Sequence, residues 1–318
     1  ETPYLYPMSP VLVLVGPTAV GKTALSLELA ESFGCEIISM DSMQVYRHMD
    51  IGTAKATAAE RVRVRHHLID IADPDEQYNA ARFVTDARAA MADMRRRGKM
   101  PLITGGTGLY LKALNHGLFA AVPIPAAIRD GLRLRLAEEG RAALFRELAD
   151  CDPESAARIH PNDTQRILRG LEVFQASGRP WSEYLRRQEQ DERLAGTPQL
   201  LLGLRCERSR LYERIRLRTE KMMQPPFRAE VENLLAMGYD ASLPSMQALG
   251  YRHMIRHIEG EWPLETACAA LVTDTRRYAK RQLTWFRSEA AMHWFDRDEG
   301  EAIFRLVARF VHENPLSS

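Results

Sequence analysis

The residues with the plainest chemical meaning lie near the front of the chain. Gly16-Pro17-Thr18-Ala19-Val20-Gly21-Lys22-Thr23 fits the spacing G-x-x-x-x-G-K-[ST]. Its glycines let the backbone curl until peptide N–H groups face one centre, and a helix starting near Gly21 adds its positive dipole end. Lys22 supplies a mobile charge for terminal phosphate oxygens, and the Thr23 hydroxyl is placed to ligate Mg²⁺. The loop therefore predicts a phosphate ligand held by Gly16, Pro17, Thr18, Ala19, Val20, Gly21, Lys22 and Thr23. It does not say which phosphate. A site that hydrolyses a nucleoside triphosphate needs an acid at the end of a second strand to hold Mg²⁺. Pro101-Leu102-Ile103-Thr104-Gly105-Gly106 comes at the right distance but ends in Thr and Gly. The acid is instead Asp41, in Ser39-Met40-Asp41-Ser42. This weakens a γ-phosphate reading and favours a different diphosphate-bearing substrate.

A parallel sheet is the element that brings such residues together. Val11–Val15 reads as a buried strand before the loop, and the helix after it is ended by Gly34. A second strand over residues 36–40 delivers Asp41 at its carboxyl end. Residues 45–66 read as polar loop and 68–71 as a third strand. Residues 79–97 have helical periodicity with a Gly98 stop. A strand over 100–104 then turns through Gly105-Gly106-Thr107-Gly108 into a helix. Strands alternating with helices predict an α/β class: a P-loop NTPase-like parallel sheet flanked by helices. From Val122-Pro123-Ile124-Pro125 to Leu194 only helix patterns occur, broken by Pro153, Pro161 and Pro180. The expected division is a core of 1–122 and 196–318 with an all-helical insertion domain, 123–195. Residues 200–204 return to strand. Residues 208–223, 228–237, 246–259 and 264–287 read as helices, and His293-Trp294-Phe295 as a last strand.

With these motifs in order, the sequence resembles the tRNA dimethylallyltransferases, or tRNA isopentenyltransferases, from Val11 to Phe295. The family's Gly-Pro-Thr-x-x-Gly-Lys-Thr is residues 16–23, and its Asp-Ser-x-Gln-x-Tyr is Asp41, Ser42, Gln44 and Tyr46. Asp-Ile-Gly-Thr-Ala-Lys is residues 50–55, and Gly-Gly-Thr-Gly-Leu-Tyr is residues 105–110. The insertion carries Ile159-His160-Pro161-Asn162-Asp163 and Gln165-Arg166-Ile167-Leu168-Arg169. Leu249-Gly250-Tyr251-Arg252 and Thr284-Trp285-Phe286 follow. The resemblance implies alkylation of N6 of adenosine 37, beside the anticodon, in tRNAs that read codons starting with U. It implies dimethylallyl diphosphate as donor, Mg²⁺ as cofactor and a tRNA anticodon stem-loop as partner. Eukaryotic members often carry a C-terminal zinc finger. This chain shows no Cys₂His₂ spacing before Ser318, so a bacterial type is expected.

Such a reaction displaces diphosphate from an allylic carbon, so positive groups must meet the charge gathering on the leaving group. Lys22, the loop N–H groups and Mg²⁺ on Thr23 suit that task. Arg218, in Arg214-Ile215-Arg216-Leu217-Arg218, matches the family arginine that clamps diphosphate, and Arg214 shares its helix face. Lys280-Arg281-Gln282 is a further candidate in the last long helix. The adenine amine is a poor nucleophile and needs a base. Asp41 is placed for it; a helix N-cap or an indirect Mg²⁺ contact is the alternative. Thr18 is placed to face the amine or the diphosphate.

Recognition of one loop base generally requires flipping it out and holding its edges. Asp41, Ser42, Met43 and Gln44 are expected to line that pocket. Gln165, Arg166, Ile167, Leu168 and Arg169 are expected to contact loop RNA, although a solvated helix face would give the same arginine pattern. Gln247, Ala248, Leu249, Gly250, Tyr251 and Arg252 resemble another tRNA-contacting segment. Arg129 and Thr107 are weaker matches. His66, His67, His253 and His257 lack the partners a zinc site needs.

Composition agrees with a soluble enzyme. The 318 residues are 45% hydrophobic and 27% charged, which excludes a disordered or rod-like chain. No apolar run approaches the roughly 18 residues needed to span a bilayer. Four dispersed cysteines suggest neither a disulfide framework nor a zinc cage. A cytoplasmic monomer that engages no membrane is expected. The formal net charge of +1 conceals a basic stretch over 205–287, and only six of 43 basic residues are lysine. Arginine forks suit phosphate; a GC-rich coding sequence would give the same bias. The rivals are a small-metabolite kinase, an adenylate isopentenyltransferase, and a non-catalytic tRNA-binding protein. The first leaves residues 105–110 unexplained, the second the insertion, and the third the phosphate loop.

Overall fold

In a computed structural model, which describes residues 10–116, 122–189 and 197–316, the chain divides into two compact units. One combines Glu1–Leu111 with Gly196–Ser318, and the other is Lys112–Ala195. The first boundary thus falls earlier than Val122-Pro123, inside a helix that follows Gly106-Thr107.

The first unit is built on six parallel strands: β1 (Val11–Val15), β2 (Cys35–Met40), β3 (His66–His67), β4 (Met100–Gly105), β5 (Gln199–Arg205) and β6 (His293–Asp296). Their order is β3-β2-β4-β1-β5-β6. Strand β1 is central, with Val13 opposite Ile103 on one side and Leu201 on the other. All five of its residues are buried, as expected for a strand covered on both faces. Leu12, Leu14, Leu102, Leu200 and Leu202 pack with Leu25 and Leu29 of α1 (Lys22–Phe33), and with Ile303 and Val307 of α14 (Gly300–Glu313). Burial of each such side chain stabilises by roughly 1.5–3 kcal/mol. Helix α1 ends as its sequence suggests: Gly34 is left-handed at φ 66° and its N–H bonds to Ala30 O.

The remaining helices of this unit are α2 (Ala58–Arg63), α3 (Ala80–Arg96), α4 (Gly108–His116), which enters the second unit, α10 (Arg208–Met222), α11 (Pro225–Ala236), α12 (Tyr251–Ile258) and α13 (Leu264–Phe286). Three expectations need correction. The third strand is His66–His67, not 68–71, because Leu68 and Asp70 adopt left-handed φ values of 63° and 57° that end the extended run. The segment 45–66 contains α2, started by a reciprocal Thr57–Glu60 capping box. The 246–259 helix begins only at Tyr251, since Gly250 has φ 94°. Among the described residues no helix is long and apolar enough to cross a membrane.

The second unit is helical in its described part: α5 (Ala126–Glu139), α6 (Arg141–Cys151), α7 (Pro153–Arg158), α8 (Thr164–Ser177) and α9 (Trp181–Glu189). Its core gathers Leu132, Leu144, Leu148, Ile167 and Leu171. Gly170 lets α8 pack closely on α6: a Cβ would sit 2.6 Å from Leu148 Cδ1, so Leu148 would have to shift to admit one. Buried Asp152 accepts from Ser155 N at 3.0 Å and Ser182 N at 2.9 Å, joining the starts of α7 and α9.

Candidate active site

The carboxyl ends of β1, β2 and β4 lie side by side, with Gly105 opposite both Val15 and Met40. Ligands meet an open parallel sheet at this edge. After β1 the chain curls through residues 16–23. Gly16 must stay glycine, because its φ is 154° and a Cβ would lie 2.7 Å from Leu204 O. Ala19 is held at φ 65°, a left-handed conformation that costs energy in a non-glycine residue and is concentrated at functional loops. Pro17 and Val20 are buried, so the loop presents backbone there rather than side chain. The Lys22 ammonium donates to Gly16 O at 2.8 Å and Pro17 O at 2.9 Å, holding the curl. Enclosure brings the Lys22 pKa down to about 7; Arg218 adds to this by repulsion and Asp41 opposes it.

Helix α10 supplies the cations the sequence suggested. Arg214 Nε donates to Ala19 O at 2.7 Å, and Arg218 Nη1 donates to Thr18 Oγ1 at 3.1 Å. One helical turn separates them, so both reach the loop from one face. Lys22, Arg218, Thr18, Thr23 and Asp41 line one cavity of about 840 Å³.

Asp41 follows β2. Its Oδ1 accepts from Met43 N at 2.8 Å and Gln44 N at 3.3 Å, so the carboxylate caps its own turn. Gln44 is fixed in turn: Ser39 Oγ donates to its Oε1 at 2.9 Å, and its Nε2 donates to Thr53 O and Ala54 O at 3.3 Å each. That places a rigid amide at the cavity wall. Thr107 brackets Asp41 from the turn after β4: its N–H donates to Met40 O at 3.3 Å, and its hydroxyl accepts from Ser42 N at 3.2 Å.

Beyond Thr104 the end of β4 is tightly packed. A Cβ on Gly105 would lie 2.0 Å from the Met40 backbone oxygen, and one on Gly106 would lie 2.0 Å from the Gln282 side-chain Nε2. An acid at position 105 has no room, and Thr104, which lines the cavity, stands where the strand could carry one.

The remaining expected contacts separate by burial. Gln247, Ala248, Leu249 and Arg252 line the cavity. Tyr251 does not present itself to RNA: it is fully buried, packs edge-on against Phe227, and donates to Glu230 Oε1 at 2.6 Å. Gly250 is likewise buried. In the helical unit Ile167 is fully buried and Leu168 packs on the same core; α8's inward period takes them. Gln165 and Arg166 are exposed, and Arg169 and Arg129 are half-buried. Arg166 pairs with Asp163 at 3.5 Å and Arg169 with Glu172 at 3.2 Å. The histidines are structural: His66 bonds Val64 O at 2.8 Å, His67 bonds Glu36 at 2.7 Å, and His257 bonds Trp262 O at 3.0 Å.

Two residues escaped sequence reasoning. Glu230 accepts from Ile51 N at 2.7 Å and Gly52 N at 3.3 Å, locking the turn whose carbonyls hold Gln44. Buried Lys55 donates to Asp50 and Asp70 at 2.6 Å each, fixing the same segment. Lys55 stands in a recognisable motif, but Glu230 is one acid in a charged helix with no local signal.

A family profile described as IPP transferase matches residues 44–289, and one described as isopentenyl transferase matches 9–73. The chain is 50% identical over 303 residues to tRNA dimethylallyltransferase 2 of Syntrophus aciditrophicus, covering 95% of this chain and 96% of that one. It is 51% identical over 312 residues to the tRNA dimethylallyltransferase of Syntrophobacter fumaroxidans, covering 96% and 88%. Among solved structures, the full-length tRNA isopentenylpyrophosphate transferase of Bacillus halodurans superposes with a TM-score of 0.69 at 38% identity, covering 96% and 98%. A eukaryotic dimethylallyltransferase acting on tRNA gives 0.79 at 26% identity, covering 98% and 81%.

Proposed function

The chain belongs to the IPP transferase family, and we propose that it transfers the dimethylallyl group of dimethylallyl diphosphate to N6 of adenosine 37 in tRNAs that read codons starting with U, releasing diphosphate. The observation that carries this reading is one cavity holding the phosphate loop, Arg218 and the Asp41 carboxylate, beside a β4 end that carries Thr104-Gly105-Gly106 and no acid. The curated relatives named above are tRNA dimethylallyltransferases.

In this reading the diphosphate rests on the amides of Ala19 and of residues 21–23, with Lys22 and Arg218 on its oxygens. As the allylic C–O bond breaks, its electron pair moves to the leaving diphosphate, where those cations stabilise it. The N6 lone pair forms the new C–N bond, and the N6 proton passes to Asp41. Because Oδ1 already accepts two backbone N–H groups, Oδ2 is the oxygen assigned to that proton. Ser42, Met43 and the fixed Gln44 amide hold the flipped adenine. Gln247, Ala248, Leu249 and Arg252, with the α8 residues Gln165, Arg166 and Arg169, contact the anticodon stem-loop; buried Gly250 and Tyr251 hold the first segment in place, and Ile167 and Leu168 support α8 from beneath.

The donor set suits Mg²⁺ at the loop: Thr23 lines the cavity and offers a hydroxyl, and Mg²⁺ takes few protein ligands besides substrate phosphates and waters. Among the described residues no cluster of three His, Cys, Asp or Glu competes for it. When bound it supplies positive charge to the diphosphate. The reading includes a cytoplasmic monomer, and four free cysteines support a reducing compartment.

The test is incubation with labelled dimethylallyl diphosphate and tRNA, AMP or ATP as sole acceptor. Label is expected in tRNA, at the adenosine beside the anticodon. Label in a free nucleotide, or tRNA-stimulated ATP hydrolysis, overturns the reading.

A further inference from the structure

Gln282 of α13 is among the few polar side chains of the first unit that are almost wholly buried, at 5% exposure. Its two amide atoms go to different catalytic segments. Oε1 accepts from Thr18 N at 2.8 Å, and Nε2 donates to Gly106 O at 3.0 Å. Tyr278, one helical turn earlier, lies beside Gln282 along the same cavity, and Gly106 leads directly into Thr107. Thr107 in turn brackets Asp41 through Met40 O and Ser42 N. A continuous chain of contacts therefore runs from the phosphate loop to the Asp41 turn, and among the described residues Gln282 Oε1 is the acceptor for Thr18 N. The approach is so close that a Cβ at 106 would lie 2.0 Å from Nε2 and would displace this amide.

We propose that Gln282 is a positioning residue for prenyl transfer, clamping the phosphate loop to the turn after β4 so that donor and base keep one fixed separation. Primary amide chemistry suits the place, because one end must accept an N–H while the other donates to a carbonyl. Neither a carboxylate nor an ammonium does both. An unpaired Thr18 N–H or Gly106 C=O beside the substrate would cost free energy and loosen the loop. The amide touches loop backbone, so its effect on the reaction passes through Thr18 and Thr107. Misplacement by about 1 Å costs on the order of 10²-fold in rate.

This inference rests on the transferase reading, and wild-type protein in the same assay separates the two: if wild type does not prenylate tRNA, the reading itself fails. Given an active wild type, Gln282→Met keeps the bulk and removes both hydrogen bonds. Its single-turnover rate is expected to fall about 10²-fold, with tRNA affinity within about threefold of wild type. A rate within threefold of wild type overturns the proposal, as does an equal loss in tRNA affinity, which marks a general folding role. Gln282→Glu decides the matter even if the Met variant does not fold. Its protonated carboxyl accepts at one oxygen and donates at the other, as the amide does, whereas its carboxylate cannot donate to Gly106 O. Its rate relative to wild type is expected to rise at least tenfold between pH 8 and pH 5.5. A flat ratio across that range overturns the proposal.

Discussion

The depressed Lys22 pKa makes donor binding pH-dependent in a definite direction. In the empty site Lys22 releases its proton at about 7, chiefly because it is enclosed and secondarily because Arg218 repels it. A bound diphosphate favours the charged form, so binding above pH 7 draws in a proton, whereas below pH 7 the ammonium is already present. Affinity must therefore weaken as pH rises, approaching tenfold per unit. With a free-site pKa of about 7, the apparent Kd should increase about 25-fold from pH 7.5 to 9, roughly 2 kcal/mol. The terminal phosphate loses its last proton near pH 6, so the ligand contributes little in this window. Titration calorimetry of dimethylallyl diphosphate without tRNA, in buffers of different ionisation enthalpy, should find uptake of nearly one proton at pH 8.5. Lys22→Arg stays charged throughout and should flatten the profile. Arg218→Gln removes the repulsive neighbour and should shift the midpoint upward. Equal affinity at pH 7.5 and 9 for the wild type would refute the reasoning, and so would an unaltered slope in Lys22→Met.

Asp41→Asn keeps the shape and a hydrogen-bond acceptor but takes no proton; its single-turnover rate should fall about 10²–10⁴-fold, with little change in tRNA or donor affinity. A rate within a few-fold of wild type would reassign the base. Arg166→Ala with Arg169→Ala should weaken tRNA binding and reduce its salt dependence while sparing donor binding, each lost phosphate contact lowering the salt slope by about 0.7–0.9; filter binding at several salt concentrations checks this. The Arg97 guanidinium, with His67 beside it, holds the nearly buried Glu36 carboxyl down to about 2 despite the opposing effect of burial. Its stabilisation is complete above pH 4.5 and lost as pH falls towards 2, with an upper bound on the order of 3 kcal/mol. Glu36→Gln should accordingly melt lower at pH 7, and the gap in Tm should narrow below pH 4.5.

The strands that build the sheet were legible because β-branched and leucine runs between glycine and proline boundaries admit few alternatives. The phosphate loop was legible because strand, glycine turn and helix must follow in that order. Arg214 and Arg218 could be paired from their i, i+4 spacing before either was seen against the loop. The segment around 68–71 misled because left-handed residues interrupt a run whose composition suits a strand. Tyr251 and Ile167 misled in a different way: both stand in motifs of the acceptor-binding type, yet their side chains face inward and pack in the core beneath more exposed neighbours. Gln282 was visible as a candidate only beside Lys280 and Arg281. Its role depends on Thr18 and Gly106, far away in sequence, and no local pattern encodes such a meeting. Glu230 was hidden for the same reason.

The tightly packed end of β4 also constrains what this protein can become. Conversion towards nucleotide hydrolysis would call for an acid at that end, where Thr104, Gly105 and Gly106 stand. At Gly105 the obstacle is the backbone of the neighbouring strand, which cannot step aside without unzipping β2 from β4. At Gly106 it is the amide that anchors the phosphate loop. A side chain at 105 therefore breaks the sheet edge that carries Asp41, and one at 106 displaces the Gln282 amide. A loop shared in outline with the NTPases is kept from their chemistry at these two positions by side chains that are missing, each absence being itself a part of the packing.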